Sequence, residues 1–318
     1  MKKCLAVLMF AIASVSVNAG KKDPNFLNAI WHGADAKIEL HILDDDEMPV
    51  DEAKVRAYLG MNFRPKGKWV EGTTDTNGVF VIKGKTCGDE IEVFVTKDGY
   101  YDSHVVYRYA KMGAEHEVKG GKWQPYGAEE KVKLRKVRDP IPLVLFDERR
   151  FCHTKCVNMW LGYDLRERDF VAPHGKGRIS DFDVYIEWDG KWLPDYRGMG
   201  VRIRFPDGFA GYSPIDVVAE SEFLGPYSVS AAFVYRKEAC FYERVLNDGK
   251  KEEEQFDRHK CWVVRTRCMV NDAGQLISAN YAIIHDVELS CDLGGIAGFC
   301  VMGAYNPTPN DTNLEPKR

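Results

Sequence analysis

The sequence predicts an all-β protein of two sandwich-like domains, and three observations predict it. Apolar residues alternate with polar ones in short runs, as in Ile38, Leu40 and Ile42, or Phe182, Val184, Ile186 and Trp188. That is the period of a strand with one buried face. Turn pairs such as Asn77-Gly78 and Asp207-Gly208 separate the runs at a spacing that indicates a sandwich or jelly-roll rather than an α/β fold. In the first domain no amphipathic helix longer than two turns can be traced.

Residues 1–19 read as a signal peptide: basic Lys2 and Lys3, an apolar run over residues 5–15, and the small-residue cleavage site Val17-Asn18-Ala19. The apolar run is shorter than the roughly 18 residues of a spanning helix. Cys4 precedes that run, where it cannot carry a lipid. The chain is therefore expected to be exported, whether periplasmic, cell-surface or secreted, with no membrane span. Residues 20–36 form a polar lead-in without a clear period.

The first domain is expected over residues 37–138. Ile38, Leu40 and Ile42 open it, the acidic run Asp44-Asp45-Asp46-Glu47 turns the chain, and Val55, Ala57 and Leu59 repeat the alternation. Phe80 with Ile82, then Ile91, Val93 and Val95, then Val132 and Leu134 follow. In Gly72-Thr73-Thr74-Asp75-Thr76-Asn77-Gly78-Val79-Phe80, Asp75 can bond its neighbouring backbone to start the turn. Gly78 supplies the unusual dihedral there, and Phe80 is expected to plug the core.

Acidic turn, Pro49-Val50, strand, the Gly72–Phe80 motif and Lys97-Asp98-Gly99-Tyr100-Tyr101 together resemble the carboxypeptidase regulatory-like domain, a transthyretin-like β-sandwich. The resemblance covers about a third of the chain. It implies architecture: such domains act as folding partners, spacers or binding modules. The activity of the zinc peptidase that gives the family its name is not implied by this resemblance.

Asp139-Pro140-Ile141-Pro142 is the expected hinge to a second β-rich domain over residues 139–318. Val201, Ile203 and Phe205 alternate, as do Trp262, Val264, Thr266 and Cys268. Residues 276–289 should return antiparallel to that last strand. A polar tail from Asn306 is expected to drape over the surface. The layout of this half resembles exported bacterial proteins to which no function attaches.

The chain carries 44 basic against 48 acidic residues, a net charge of −4, and 45% hydrophobic residues. The near balance argues against nucleic acid as partner, and the apolar content suffices for real cores. Setting Cys4 aside leaves eight of nine cysteines, an even number that in an exported chain suggests disulfides. Cys261 and Cys268 lie roughly 24 Å apart on one regular strand and cannot pair. Cys240 with Cys261, and Cys291 with Cys300, each flank a polar turn and are the expected cross-strand pairs. Cys152-His153-Thr154-Lys155-Cys156 looks like half a zinc site, but a closed site needs a second such pair, so a disulfide through Cys152 or Cys156 is preferred.

Chemistry concentrates in residues 162–183, where Asp164, Asp169, His174, Asp181 and Asp183 lie close in sequence. Paired carboxylates with a histidine can do acid–base work or hold a metal. Equally, they can cap turns and face solvent. Gly175-Lys176-Gly177 lacks the spacing of a phosphate loop, and no Gly-x-Ser-x-Gly elbow is present. The acidic run 44–47 offers hard oxygens but not the spacing of an EF-hand. Trp188 and Trp192 flank a turn where exposed rings can stack on sugars. The resulting expectation is a non-enzymatic exported β-protein that binds or scaffolds an envelope protein or glycan, without metal or cofactor. The alternatives are a carbohydrate-active hydrolase or lyase using the five candidates above, and a glycan-binding module using the tryptophans.

Overall fold

The computed structural model describes residues 24–60, 67–109, 118–146, 152–188, 198–246, 250–291 and 296–317. The expected signal peptide and Trp192 lie outside the described residues. The protein is all-β: among the described residues, strands β1 to β21 follow one short helix. No helix among the described residues is long and apolar enough to cross a membrane. Two compact units divide the chain, Met1–Lys97 with His104–Val132, and Asp98–Ser103 with Lys133–Arg318.

The first unit starts with α1 (Pro24–His32), in the segment read above as irregular. Proline at the first helical position is pre-organised for a helix, and Phe26 meets the Trp123 ring edge-on at 6.1 Å. Strands β1 (Ala34–Leu43), β2 (Lys54–Leu59), β3 (Lys68–Thr73), β4 (Val79–Thr86) and β5 (Glu90–Thr96) follow. Then come β6 (Ser103–Arg108), β7 (Val118–Lys119), β8 (Lys122–Trp123) and β9 (Ala128–Lys133). One sheet runs β4-β1-β8-β7 with β9 also on β1, and the other runs β3-β2-β5-β6. Ile38, Leu40 and Ile42 of β1 are fully buried, as are Val55, Ala57 and Leu59 of β2 and Ile91, Val93 and Val95 of β5.

The expected turn is present in detail. Asp75 Oδ1 accepts from the backbone N–H of Asn77 at 2.9 Å and of Val79 at 2.8 Å, and Gly78 adopts φ 71°. Phe80 differs from expectation. It is half-buried, because its ring lies over Gly72, where any side chain would collide with it. The acidic run is a turn closed on itself. Buried Asp44 accepts from the N–H of Asp46 at 2.8 Å and of Met48 at 3.0 Å.

The second unit holds β10 (Val144–Phe146), β11 (Cys152–Thr154), β12 (Trp160–Asp164), β13 (Asp169–Phe170), β14 (Phe182–Trp188) and β15 (Gly198–Arg204). After these come β16 (Gly211–Asp216), β17 (Glu238–Val245), β18 (Lys251–Glu254), β19 (Lys260–Val270), β20 (Leu276–Cys291) and β21 (Ala297–Asn306). One sheet orders β10-β21-β20-β19-β16 with β11 on β21; the other orders β13-β12-β14-β15-β17-β18. Residues from both meet in one core, where Tyr163 stacks on Phe182 at 5.4 Å and meets Phe299 edge-on at 5.3 Å. β19 and β20 pair antiparallel as expected, with a bulge between Thr266 and Met269.

The tail keeps the expected surface position at Thr308, Pro309, Asn310 and Thr312, which are exposed, and departs from it near its end. Leu314 and Glu315 are buried. The Glu315 carboxylate accepts from the N–H of Arg138 at 2.7 Å, the N–H of Asp139 at 2.8 Å and the Tyr101 hydroxyl at 3.1 Å. Polar composition misled because this carboxylate is consumed internally, a pairing that a buried charge requires.

Candidate functional site

Of the five acid–base candidates, the fold brings two into one buried knot. Asp164 ends β12 and Asp181 precedes β14, and both are buried. Arg267 reaches them from the bulge of β19, where its backbone takes φ 50°. Its Nη2 lies 2.8 Å from Asp164 Oδ1 and 2.9 Å from Asp181 Oδ2, and its Nε 2.8 Å from Asp181 Oδ1. The remaining lone pairs are also taken. Asp164 accepts from the N–H groups of Arg166, Glu167, Arg178 and Ile179 at 2.9–3.1 Å. Asp181 accepts from the Leu165 N–H at 2.7 Å and the Thr266 hydroxyl at 2.8 Å.

A carboxylate offers about four acceptor sites, so neither oxygen pair has room for a substrate proton. Burial alone pushes the Asp164 carboxyl up. The N–H groups of Arg178, Glu167 and Ile179 and the Arg267 charge outweigh it and hold the group below its ordinary value. Burial likewise pulls Arg267 down, but the bond to Asp181 and the surrounding negative charge leave it raised overall. The knot fastens the 162–183 segment to β19.

The other three candidates take no part in the knot, although Asp169 stands opposite Asp164 in the β12–β13 pair. Asp169 accepts from the N–H of Phe170 at 2.8 Å and of Lys176 at 3.1 Å, closing its own loop. Asp183 is held by Arg204 Nε and the Ser180 hydroxyl, each at 3.0 Å. Exposed His174 places Nδ1 3.3 Å from the Cys156 thiol. Sequence reasoning had put these two residues in separate roles.

Cys156 is thus a thiol facing an imidazole, and Cys87, Cys240, Cys261 and Cys268 are thiols as well. The expected Cys240–Cys261 pairing fails on topology. Cys240 lies in β17 opposite Arg202, while Cys261 lies in the other sheet opposite Ile215. The Cys291–Cys300 pairing fails on register: β20 and β21 set Cys291 opposite Ala297 and Cys300 opposite Glu288. Cys152 pairs along the backbone with Phe299 in β21, and the Cys156 thiol points to His174, so the local Cys152–Cys156 bond is not made.

Trp188 is only 3% exposed, which removes its face from any sugar. An aromatic row lies instead on the outward face of β3-β2-β5-β6 in the first unit. Trp69 is 41% exposed. Tyr58 lies 5.1 Å from it, Phe94 lies 5.9 Å away, and His104 stacks on Phe94 at 4.3 Å. The Arg56 guanidinium sits 4.6 Å over the Trp69 ring and bonds Glu71 at 2.9 Å. Sequence reasoning missed this row because its rings come one each from four strands. The only signal was that Tyr58 and Phe94 occupy the outward positions of their alternating runs.

The second unit also carries a cleft of about 520 Å³, lined by Tyr101, Phe223, Ile283, His285, Ala304 and Leu314 among others. His285 stands at the bulge of β20, and none of the sequence-predicted candidates reaches the cleft.

No family model matches this chain, and no curated protein matches it. Among solved structures it is similar to 3-chlorocatechol 1,2-dioxygenase from Rhodococcus opacus, at 12% identity and TM-score 0.26 over 33% of this chain and 61% of that one. A catechol 1,2-dioxygenase from Acinetobacter gives 14% identity and TM-score 0.26 over 38% and 56%. A DUF3823 family protein from Parabacteroides merdae gives 6% identity and TM-score 0.21 over 86% and 97%. The chain spans little more than half the length of either dioxygenase. At these identities and scores the likenesses decide nothing about chemistry.

Proposed function

We propose that this chain is a non-enzymatic exported binding module that holds an envelope or extracellular glycan, with a carboxypeptidase regulatory-like first unit as the binding element. The observation that carries the proposal is the row Tyr58, Trp69, Phe94 and His104 across four neighbouring strands, in which Trp69 and His104 are exposed and Tyr58 and Phe94 half-buried. Sugar rings present apolar C–H faces that pack on such rings, and Arg56 with Glu71 supplies polar groups beside them. Aromatic contacts of this kind are worth about 0.5–1.5 kcal/mol beyond area burial. Against catalysis stands the saturation of Asp164 and Asp181.

Affinity electrophoresis in soluble polysaccharides, with co-sedimentation on peptidoglycan, tests the proposal. At least one glycan should retard or retain the protein. Trp69→Ala should weaken that binding by about tenfold, the equivalent of 1.4 kcal/mol. Binding unaffected by Trp69→Ala, or release of reducing ends from any of these polysaccharides, would overturn it.

A further inference from the structure

The opposite sheet of the first unit carries a different group of side chains. Glu39 and His41 are two residues apart on β1 and so project from the same face, and Glu129 stands on β9, which pairs with β1. One potential ligand atom from each of these residues lies within 4.8 Å of those of the other two. His41 Nε2 is 3.3 Å from a Glu39 oxygen. Yet that nitrogen, itself shielded from solvent, makes no hydrogen bond. Three donors therefore converge without satisfying one another.

We infer that Glu39, His41 and Glu129 bind a divalent transition-metal ion of the zinc class. Imidazole with two carboxylates suits zinc, whereas magnesium and calcium prefer oxygen alone. Zinc–nitrogen and zinc–oxygen bonds of about 2.0–2.2 Å give a tetrahedral edge of about 3.3–3.5 Å. The observed 3.3 Å between His41 and Glu39 is such an edge. Glu129 is exposed, which leaves its side chain room to turn toward an ion. The ion neutralises two neighbouring carboxylates and satisfies the stranded imidazole nitrogen. Three protein ligands leave a fourth position for water, the arrangement of an open zinc site. Position supports the assignment as well: both strands belong to the rigid sheet of the sandwich, and the ligands need no loop to order.

Calorimetric titration of the EDTA-stripped chain with zinc, paired with a cobalt titration followed by visible absorption, tests this. One zinc ion per chain is expected. His41→Gln and Glu129→Gln should each weaken binding by more than about tenfold, a loss that even outer-shell changes bring to metal sites. Cys156→Ser should leave it unchanged, and the cobalt spectrum should lack thiolate charge transfer. Glu129→Gln removes only an exposed carboxylate, so it remains informative if His41→Gln misfolds. No zinc uptake, wild-type affinity in Glu129→Gln, or a thiolate band in the cobalt spectrum would each overturn the assignment.

Discussion

Two groups of acidic side chains in this molecule look alike in composition and differ in how their oxygens are occupied. Asp164 and Asp181 in the second unit are buried, face Arg267, and accept hydrogen bonds at every available lone pair. Glu39 and Glu129 in the first unit are partly or fully exposed, and they converge with an imidazole whose Nε2 makes no hydrogen bond. The first group is complete as it stands and has nothing to offer a ligand. The second is incomplete, and its incompleteness is what a cation would remedy. Counting donors against acceptors separates the two, where counting carboxylates does not.

Removing Arg267 attacks the complete group hardest. Arg267→Ala leaves two buried carboxylates uncompensated and should cost about 3–5 kcal/mol. Urea unfolding followed by core tryptophan fluorescence measures it, and a loss below about 1 kcal/mol would mean the knot is not the clasp described here. Completing the second group comes next in size. Zinc at a hundredfold excess over its dissociation constant should stabilise the protein by about 2.7 kcal/mol. Differential scanning calorimetry should show this as a higher melting temperature in the wild type and none in His41→Gln.

Asp164→Asn weakens the knot more gently, by about 1–3 kcal/mol, and carries a pH signature. The folded carboxyl is held below its ordinary value of 3.8. Its contribution is therefore full above about pH 4 and is lost as pH falls through the lower folded value. The wild type should lose stability on acidification through that window, and Asp164→Asn should lose less. An identical acid limb in both proteins would argue against the hydrogen-bond count. Smallest of all, Glu129→Gln in metal-free protein should change stability by less than about 0.5 kcal/mol. A larger loss would show that Glu129 already has a structural partner.

Much of this was legible in the sequence, for a physical reason. β1, β2, β5, β14 and β15 each bury one face, and a half-buried strand must alternate, so Ile38, Val55, Ile91, Val184 and Val201 announced their positions. Asp75 and Gly78 announced a turn because few residues serve there. The two-residue strands β7, β8 and β13 are too short for any period to show. Helix α1 went unseen because it is short and its apolar residues are interrupted by asparagine.

The site was less legible than the fold. Asp164 and Asp181 were visible as acids, but the residue that gives them their meaning lies 86 positions from Asp181. It is aimed by a bulge that no local pattern encodes. Cysteine pairing failed similarly, since register across β20 and β21 is set by a bulge at Ile284 and Asp286. One step of register separates facing residues from strangers.

The buried tail has a consequence for how the molecule comes into being. Tyr101 and Glu315 are 214 residues apart in sequence, yet their side chains bond directly. A ribosome making the chain in order will have synthesised the whole first unit before the last strand and tail of the second exist. Over that interval the sheet of β19 and β20 is an open edge awaiting β21, with the apolar face of a half-built core uncovered. Contacts of such long separation are slow to form, and exposed sheet edges invite mispairing. Tyr101, Arg138 and Asp139 are already made when Glu315 is added to accept their hydrogen bonds.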